Sequence, residues 1–194
     1  MKRYWPHIAL MLFALQLLLM LGSWVISAAF PLSDIRSLLS GEGLRWLMGS
    51  FADILAKPLL VYLLLLAMAY GMVHRSQLLA LRKGYRENRA RWMTLLFLLL
   101  YIGVMLSLTM VPHAVLLSAT GDLWPSPFSR SLIPLIAFGI IVLSAFYGLM
   151  AETFTAVHDI YDALLFGLRS AAPVFLFYVL CAQLYESLLF ILLG

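Results

Sequence analysis

The sequence has little charge and almost no cysteine. Only 11% of its 194 residues are Asp, Glu, Lys or Arg, whereas a soluble domain averages about 25%. Hydrophobic residues make up 64% of the chain. Cys181 is the only cysteine, so an intrachain disulfide is excluded, and a lone thiol in an apolar run usually just fills space. This composition predicts a chain whose main solvent is the lipid bilayer.

Sequence patterns for catalysis and for nucleic-acid binding are also missing. The four histidines include no pair at the i, i+3 or i, i+4 spacing that holds a metal ion. There is no Gly-x-x-x-x-Gly-Lys-[Ser/Thr] phosphate loop, and Gly41-Glu42-Gly43 is too short for a dinucleotide fingerprint. The net charge of +4 comes from cations that flank apolar runs and form no broad basic face. We therefore expect no enzyme activity, catalytic residue, metal, cofactor or nucleic-acid partner.

Five apolar segments approach or reach the ~20 residues that a helix needs to cross a bilayer. They cover residues 8–30, 54–73, 92–111, 132–151 and 171–193. Pro31 and Pro112 are expected to end the first and third spans. Pro134 and Pro173 lie near the starts of the fourth and fifth, where a missing backbone N–H costs little. The first segment is longer than a secretory signal core of roughly 7–15 residues, so we predict a retained span. The predicted fold class is an all-α, polytopic membrane protein with five transmembrane helices.

The polar run of residues 74–91 is predicted to be a cytoplasmic loop that sets the topology. Its six cations are Arg75, Arg82, Lys83, Arg86, Arg89 and Arg91. Short basic loops stay in the cytoplasm, which places the N-terminus inside and the C-terminus outside. The inside then also holds Lys2, Arg3 and Arg169, and the outside holds Arg36, Arg45, Lys57 and Arg130. We predict a single membrane domain, in which this loop separates two spans (1–73) from a three-span block (92–194).

Two connections between the spans have a helical apolar rhythm. In residues 33–55, Ser33 and Ser40 are candidate N-caps, and Gly41 with Gly43 is expected to divide the run into two short helices on the outer interface. In residues 153–168 we predict a helix on the inner surface. The polar side of that helix holds His158, Asp159 and Asp162. Residues 113–131 contain Pro and Gly and are predicted to form an outer loop.

Polar residues inside the spans give one candidate site. Glu186 is the only acidic residue well inside a span, and Gln183 lies one helical turn before it. An intramembrane carboxylate is costly and suggests an ion or proton path by default. Two other interpretations stay open, namely a hydrogen bond between helices and a side chain that reaches the outer surface near the end of the span.

Small residues and one charge pair suggest where helices meet. Ala67/Gly71 and Ser144/Gly148 have the small-xxx-small spacing that lets membrane helices approach closely. Glu42 and Arg45 lie one helical turn apart. We expect these two to form an ion pair, either within the chain or across a dimer axis.

Two blocks of sequence carry a resemblance to a known family. The first is LLSGEGLRWL at residues 38–47, followed by Lys57-Pro58-Leu59 and Tyr70-Gly71-Met72. The second comprises Ser126-Pro127-Phe128, Ile133-Pro134, Tyr147-Gly148, the acidic Asp159 and Asp162, and Ala182-Gln183-Leu184. Together they resemble the aminobenzoyl-glutamate transporter (AbgT) family. The resemblance implies that the family-motif or interface residues are Glu42, Gly43, Arg45, Trp46, Pro58, Gly71, Pro127, Pro134 and Gly148.

The resemblance covers only part of a family member. Members are longer and contain further spans and re-entrant hairpins that hold substrate and coupling ion. Counterparts of those segments would fall within residues 74–91 and after Gly194. The part that is similar is the scaffold that makes the dimer contact.

The resemblance implies a protein of the bacterial inner membrane that forms a homodimer, binds a separate membrane subunit that carries the substrate, or does both. Two alternatives stay open. One is a structural or assembly subunit with no transport role. The other is a complete, small, homo-oligomeric transporter in which Gln183 or Glu186 lines the path.

Overall fold

The computed structural model describes residues 4–30, 35–80, 84–110 and 127–193. These ranges contain seven helices and no strand: α1 (Trp5–Ala29), α2 (Gly41–Gly49), α3 (Phe51–Leu55), α4 (Pro58–Ser76), α5 (Tyr85–Met110), α6 (Pro127–Met150) and α7 (Val157–Leu193). Five of them, α1, α4, α5, α6 and α7, are long and apolar enough to cross a bilayer. The predicted all-α fold with five membrane-spanning helices is confirmed. Several residues with predicted roles lie outside the described ranges, namely Pro31, Ser33, Arg82, Lys83, Pro112 and residues 113–126.

The basic connection between α4 and α5 is shorter than the sequence predicts. Helix α4 continues through Ser76, and α5 begins at Tyr85, seven residues before the predicted start at Trp92. Arg86, Arg89 and Arg91 therefore lie in the first turns of a helix and not in a loop. The reason is that Arg, Glu and Ala favour helix, and long Arg side chains can extend from a helix end toward the membrane surface.

Helix α7 is continuous where the sequence predicts two helices. It runs for 37 residues from Val157 to Leu193 and contains Pro173 in its interior. At 1.5 Å per residue it is about 55 Å long, so its polar first turns extend beyond a hydrocarbon core of about 30 Å. Pro134 likewise lies inside α6, because α6 already begins at Pro127. In a membrane a broken helix would leave backbone groups without partners, and this favours continuing the helix past a proline.

Two short helices follow α1, as predicted, but the break between them is elsewhere. Gly41 is the first residue of α2, and the break falls at Ser50, between α2 and α3. Ser40 is the N-cap of α2, as predicted, and its Oγ accepts a hydrogen bond from the Gly43 N–H at 3.0 Å. The Oγ also donates to the carbonyl oxygen of Ser37 at 2.7 Å. These bonds satisfy backbone groups that would otherwise lack partners at the helix start.

The chain contains two compact units. Unit 1 consists of Met1–Leu60 and Ala172–Gly194, and unit 2 of Val61–Ala171. Unit 1 contains α1, α2, α3 and the second part of α7. Unit 2 contains most of α4, all of α5 and α6, and the first part of α7. The limits between the units fall inside α4 and α7.

Unit 2 contains a helix crossing in which two backbones nearly touch. A Cβ added at Gly71 of α4 would lie 2.6 Å from the backbone nitrogen of Gly167 on α7. A Cβ added at Gly167 would lie 2.9 Å from the nitrogen of Gly71 and would clash with the carbonyl of Ala67. The predicted pair Ala67/Gly71 thus packs against a second small-xxx-small pair, Ala163/Gly167. This close approach is the arrangement that small residues permit between membrane helices.

The rest of unit 2 packs around buried apolar and aromatic side chains. Met72, Phe154 and Ala163 form its buried core, and Gly148 packs against the Phe154 ring. Helices α5 and α6 meet through stacked rings of Phe97 and Phe146, whose centroids are 5.0 Å apart. The hydroxyl of Tyr101 donates to the carbonyl of Leu135 at 2.8 Å.

Candidate functional site

The polar residues of unit 1 gather near the C-terminal end of α7. Gln183, Glu186 and Ser187 share one face of this helix, because residues three and four apart lie side by side. Gln16 of α1 and Lys57, which directly precedes α4, contact that face. We call these five residues the polar cluster: Gln16, Lys57, Gln183, Glu186 and Ser187.

Glu186 of the polar cluster forms an ion pair with Lys57. The Lys57 ammonium donates a hydrogen bond to Glu186 Oε1, and the two side chains are 44% and 21% exposed. The Lys57 nitrogen also lies 5.8 Å from the centroid of the Tyr185 ring. The hydrogen bond to Glu186 raises the pKa of Lys57 above its ordinary value of 10.5, so Lys57 stays protonated. This ion pair agrees with the interpretation that Glu186 forms a contact between two elements of the chain.

Two carbonyl oxygens of the polar cluster are buried without a hydrogen-bond partner among the described residues. Gln16 Nε2 donates to the Oγ of the fully buried Ser187 at 2.8 Å. Gln16 Oε1 and Gln183 Oε1 accept no hydrogen bond. A buried carbonyl that accepts no bond is costly in an apolar medium. The polar cluster therefore contains two amide oxygens that are available to accept a hydrogen bond from a donor.

The segment LLSGEGLRW at residues 38–46 is packed into unit 1 by its backbone. The Leu38 N–H donates to Ser23 Oγ of α1 at 3.2 Å, and Leu38 is fully buried. A Cβ added at Gly43 would lie 2.7 Å from the Leu38 Cα, so only glycine fits there. Trp46 stacks on Phe190 of α7, with ring centroids 4.4 Å apart. Gly43 and Trp46 thus join α2 to the chain that follows α1 and to the end of α7.

Glu42 forms a different ion pair from the expected one. Its carboxylate lies 3.7 Å from the Arg36 guanidinium, and both side chains are well exposed. Arg45 is exposed and has no ion-pair partner among the described residues. The expected pairing of Glu42 with Arg45 inside the chain is therefore wrong. The cause is that the chain before α2 folds back and brings Arg36 close to the first turn of that helix.

The proline and glycine residues of the family motif have backbone roles. Pro58 and Pro127 are the first residues of α4 and α6, a position where the missing N–H costs little. Pro134 lies within α6. Gly71 lies at the crossing of α4 and α7, and Gly148 packs against the ring of Phe154.

Three of the four cations that the structure describes in residues 74–91 have individual partners. Arg75 lies over the Phe166 ring, 5.1 Å from its centroid. Arg86 forms an ion pair with Glu152. Arg91 donates to the carbonyl of Ala80 at 3.0 Å. Arg89 is exposed.

The acidic residues at the start of α7 stabilise the helix end. Asp159 Oδ2 accepts hydrogen bonds from the Thr155 and Ala156 N–H groups at 2.7 and 3.0 Å. Asp162 lies 3.2 Å from His158 Nδ1. No group of three or more His, Cys, Asp or Glu within the described residues is placed to hold a metal ion.

No sequence pattern marks Gln16, Lys57 and Ser187 as members of a site. A signal for the Lys57–Glu186 pair was present, because both residues were predicted near the outer ends of spans. Ala163 and Gly167 form a small-xxx-small pair that was also missed. That pair lies in a segment predicted to be a surface helix, where close packing is not expected.

Comparison with known proteins gives no assignment. No protein-family model, curated protein or solved structure matches the chain.

Proposed function

We propose that this protein is a membrane scaffold that forms an oligomer or binds a partner subunit. It resembles the dimer core of an aminobenzoyl-glutamate-type secondary transporter, and a separate subunit supplies the part that carries substrate. The observation that supports this most is the packing of residues 38–46 in unit 1. This segment, on which the family resemblance depends, is held by Ser23 and Phe190 and by the close fit of Gly43.

A scaffold has to keep its shape while a partner moves against it, and unit 1 is built in this way. The Tyr178 hydroxyl of α7 donates to the carbonyl of Leu55 at 3.1 Å. The Arg36 N–H donates to the carbonyl of Ile191 at 3.4 Å. With the Lys57–Glu186 pair, these bonds connect the stretch from Arg36 to Lys57, which contains the two short helices, to α7 at several points. The ion pair also neutralises the intramembrane carboxylate without a bound cation.

The proposed location is the bacterial inner membrane, with the N-terminus in the cytoplasm. The support is the excess of Lys and Arg on one side of the predicted topology. Cysteine-accessibility labelling at Arg45 and at Arg89 tests this arrangement. We expect an impermeant reagent added from outside to label Arg45→Cys and not Arg89→Cys, and the opposite pattern would reverse the topology.

The scaffold proposal is tested by association and by transport. We expect the chain purified in mild detergent to be a dimer, or to copurify with a larger membrane protein, when analysed by native mass spectrometry. Gly43→Val should abolish this association because it disrupts the packing of residues 38–46. Gly41→Val is the matched control, since a Cβ added at Gly41 meets nothing within 4 Å.

Reconstitution of the chain alone provides the outcome that would contradict the proposal. Vesicles that contain only this chain should not take up aminobenzoyl-glutamate, and uptake would show that no partner is needed. If the copurifying partner belongs instead to an envelope or signalling complex, the chain is an assembly subunit with no transport role.

A second candidate function is a small, homo-oligomeric transporter with its path at the polar cluster. The observation that favours it is the pair of buried acceptor oxygens, Gln16 Oε1 and Gln183 Oε1, beside the carboxylate of Glu186. Gln183→Leu and Glu186→Gln should then abolish uptake while the oligomer persists. Cys181→Ser, at an exposed position on the same helix, is the control.

A further inference from the structure

A cavity in unit 2 lies beside the C-terminal end of α4. Its volume is about 550 Å³, and it is lined by Tyr70, Val73, His74, Gln77, Leu79 and Ala80. We call it the α4-end cavity. Its walls are mainly apolar, and Leu79 is 79% exposed. Its volume lies within the roughly 300–1,000 Å³ of small-molecule sites.

Two cations are fixed around the α4-end cavity. The Arg91 guanidinium donates to the carbonyl of Ala80, a lining residue, at 3.0 Å. Arg75 lies over the Phe166 ring at 5.1 Å, and the ring of the lining residue His74 stacks on the same Phe166 at 5.0 Å. The Arg91 guanidinium is thus held at the cavity wall through Ala80, and Arg75 follows the lining residue His74 and shares its contact with Phe166.

Arg91 also lines a second, smaller cavity, whose wall likewise contains a cation and an aromatic ring. This cavity measures about 280 Å³ and is lined by Asn88, Arg91, Trp92 and Leu95. Trp92 is 67% exposed, and exposed Trp at the end of a membrane span typically lies at headgroup level. The acidic groups on this side of unit 2 are Glu87, next to Gly84, and Glu152, which is paired with Arg86. Asp159 and Asp162 at the start of α7 are engaged with the Thr155 and Ala156 N–H groups and with His158.

We propose that the α4-end cavity binds an anionic phospholipid. The phosphate would bind Arg91 at the cavity wall, with Arg75 as the second cation at this end of α4, and an acyl chain would cover Val73 and Leu79. The five membrane-spanning helices place the chain in contact with lipid. Guanidinium groups bind phosphate oxygens through paired hydrogen bonds, and basic pockets between membrane helices bind anionic headgroups. This site is independent of the scaffold proposal, which rests on unit 1.

The proposal is tested by lipid binding to the full chain. The protein is purified in a mild zwitterionic detergent, and phosphatidylglycerol or phosphatidylcholine with the same acyl chains is added back. Native mass spectrometry counts the bound lipids, and a thermal unfolding midpoint reports their effect on stability. We expect a clear preference for phosphatidylglycerol, which weakens with added salt. Equal binding of the two lipids would overturn the proposal.

Three variants locate the site, and two further variants serve as controls. Arg75→Gln and Arg91→Gln should each weaken the binding of phosphatidylglycerol by about fivefold. Leu79→Glu places a carboxylate at an exposed position of the cavity and should weaken it at least as much. Leu79→Gln, which adds no charge, and Arg45→Gln, an exposed cation of unit 1, should bind like the wild type.

The Leu79 variants keep the test valid if the arginine variants fold poorly. A preference for phosphatidylglycerol that survives in Leu79→Glu would place the lipid elsewhere and overturn the proposal. Glycerol phosphate, which has the headgroup phosphate but no acyl chain, should not displace the lipid. Displacement at concentrations similar to those of the lipid would show a soluble phosphate site instead.

Discussion

Unit 1 and unit 2 differ in how closely their helices approach one another. In unit 1, side-chain hydrogen bonds and an ion pair join residues that are far apart in the sequence, such as Gln16 with Ser187 and Lys57 with Glu186. Unit 2 also contains such contacts, as between Arg86 and Glu152 and between Tyr101 and Leu135. In addition, two of its helices cross so closely that their backbones nearly touch, at Gly71 and Gly167. Lipid chains are as apolar as leucine, so neither unit gains much from apolar burial between its helices. The two units thus use the two kinds of contact that remain available in a bilayer.

The difference predicts how each unit responds to substitution. A hydrogen bond between membrane helices contributes about 0.6 kcal/mol on average, so one polar contact in unit 1 can be lost at small cost. A backbone crossing cannot admit even a methyl group unless the helices separate. We therefore expect the largest single effects in unit 2.

Gly167→Ala is expected to have the largest effect. The new Cβ would clash with the backbone of Ala67 and Gly71, and overpacking of this kind costs about 1–3 kcal/mol. The unfolding midpoint in detergent should fall by about 2–4 °C for each kcal/mol lost. Gly71→Ala should behave in the same way, because it meets the same crossing from the other helix.

Gly22→Ala in unit 1 is the matched control. A Cβ at Gly22 of α1 meets nothing within 4 Å, so the gain in helix propensity, up to about 1 kcal/mol, should stabilise the protein or leave it unchanged. If Gly167→Ala were as harmless as Gly22→Ala, the close crossing would not hold unit 2 together.

The ion pair of unit 1 is expected to contribute about 1 kcal/mol, because Lys57 is 44% exposed and water screens the pair. Glu186→Leu should lose this contribution and leave Lys57 without a partner, and Lys57→Leu should do the reverse. The double variant should be more stable than the sum of the two single effects predicts. A double-mutant cycle of unfolding free energies measures this coupling, and strictly additive effects would contradict the pairing.

The sequence predicted the features that depend on local chemistry. The five spans follow from runs of apolar residues, and the cap at Ser40 follows from one hydroxyl before a helix. The Ala67/Gly71 pair was recognised because its spacing on one helix is sufficient. Its partner pair on α7 was not, since the sequence does not show which helices cross.

The missed features depend on contacts between distant residues or on the membrane. Lys57 and Glu186 are 129 positions apart, and no local pattern links them. The pairing of Glu42 with Arg36 depends on how the chain folds back before α2. The continuity of α7 past Pro173 follows from the shortage of water in a bilayer, whereas proline rules taken from soluble proteins predict a break.

Gln77→Gly is expected to stabilise unit 2 slightly. Gln77 follows the last residue of α4 with φ 57°, the left-handed conformation that glycine adopts without cost. We expect a gain of about 0.5 kcal/mol, after allowing for the greater entropy of glycine in the unfolded chain. Glu152→Gly makes the same backbone change at φ 55° but removes the ion pair with Arg86, so its gain should be smaller. Equal gains would show that this exposed pair contributes nothing.

The smallest expected effect is a pH dependence that distinguishes the two units. The hydrogen bond to Glu186 raises the pKa of Lys57 above 10.5, so its contribution is complete below that pH and is lost as the pH rises through the folded-state value. The Arg86–Glu152 ion pair of unit 2 contains no lysine. Unfolding midpoints measured at about pH 9 and about pH 11 should therefore converge between the wild type and Lys57→Met as the pH rises. A difference that stays constant would mean that Lys57 stabilises unit 1 by packing on Tyr185 and not by its charge.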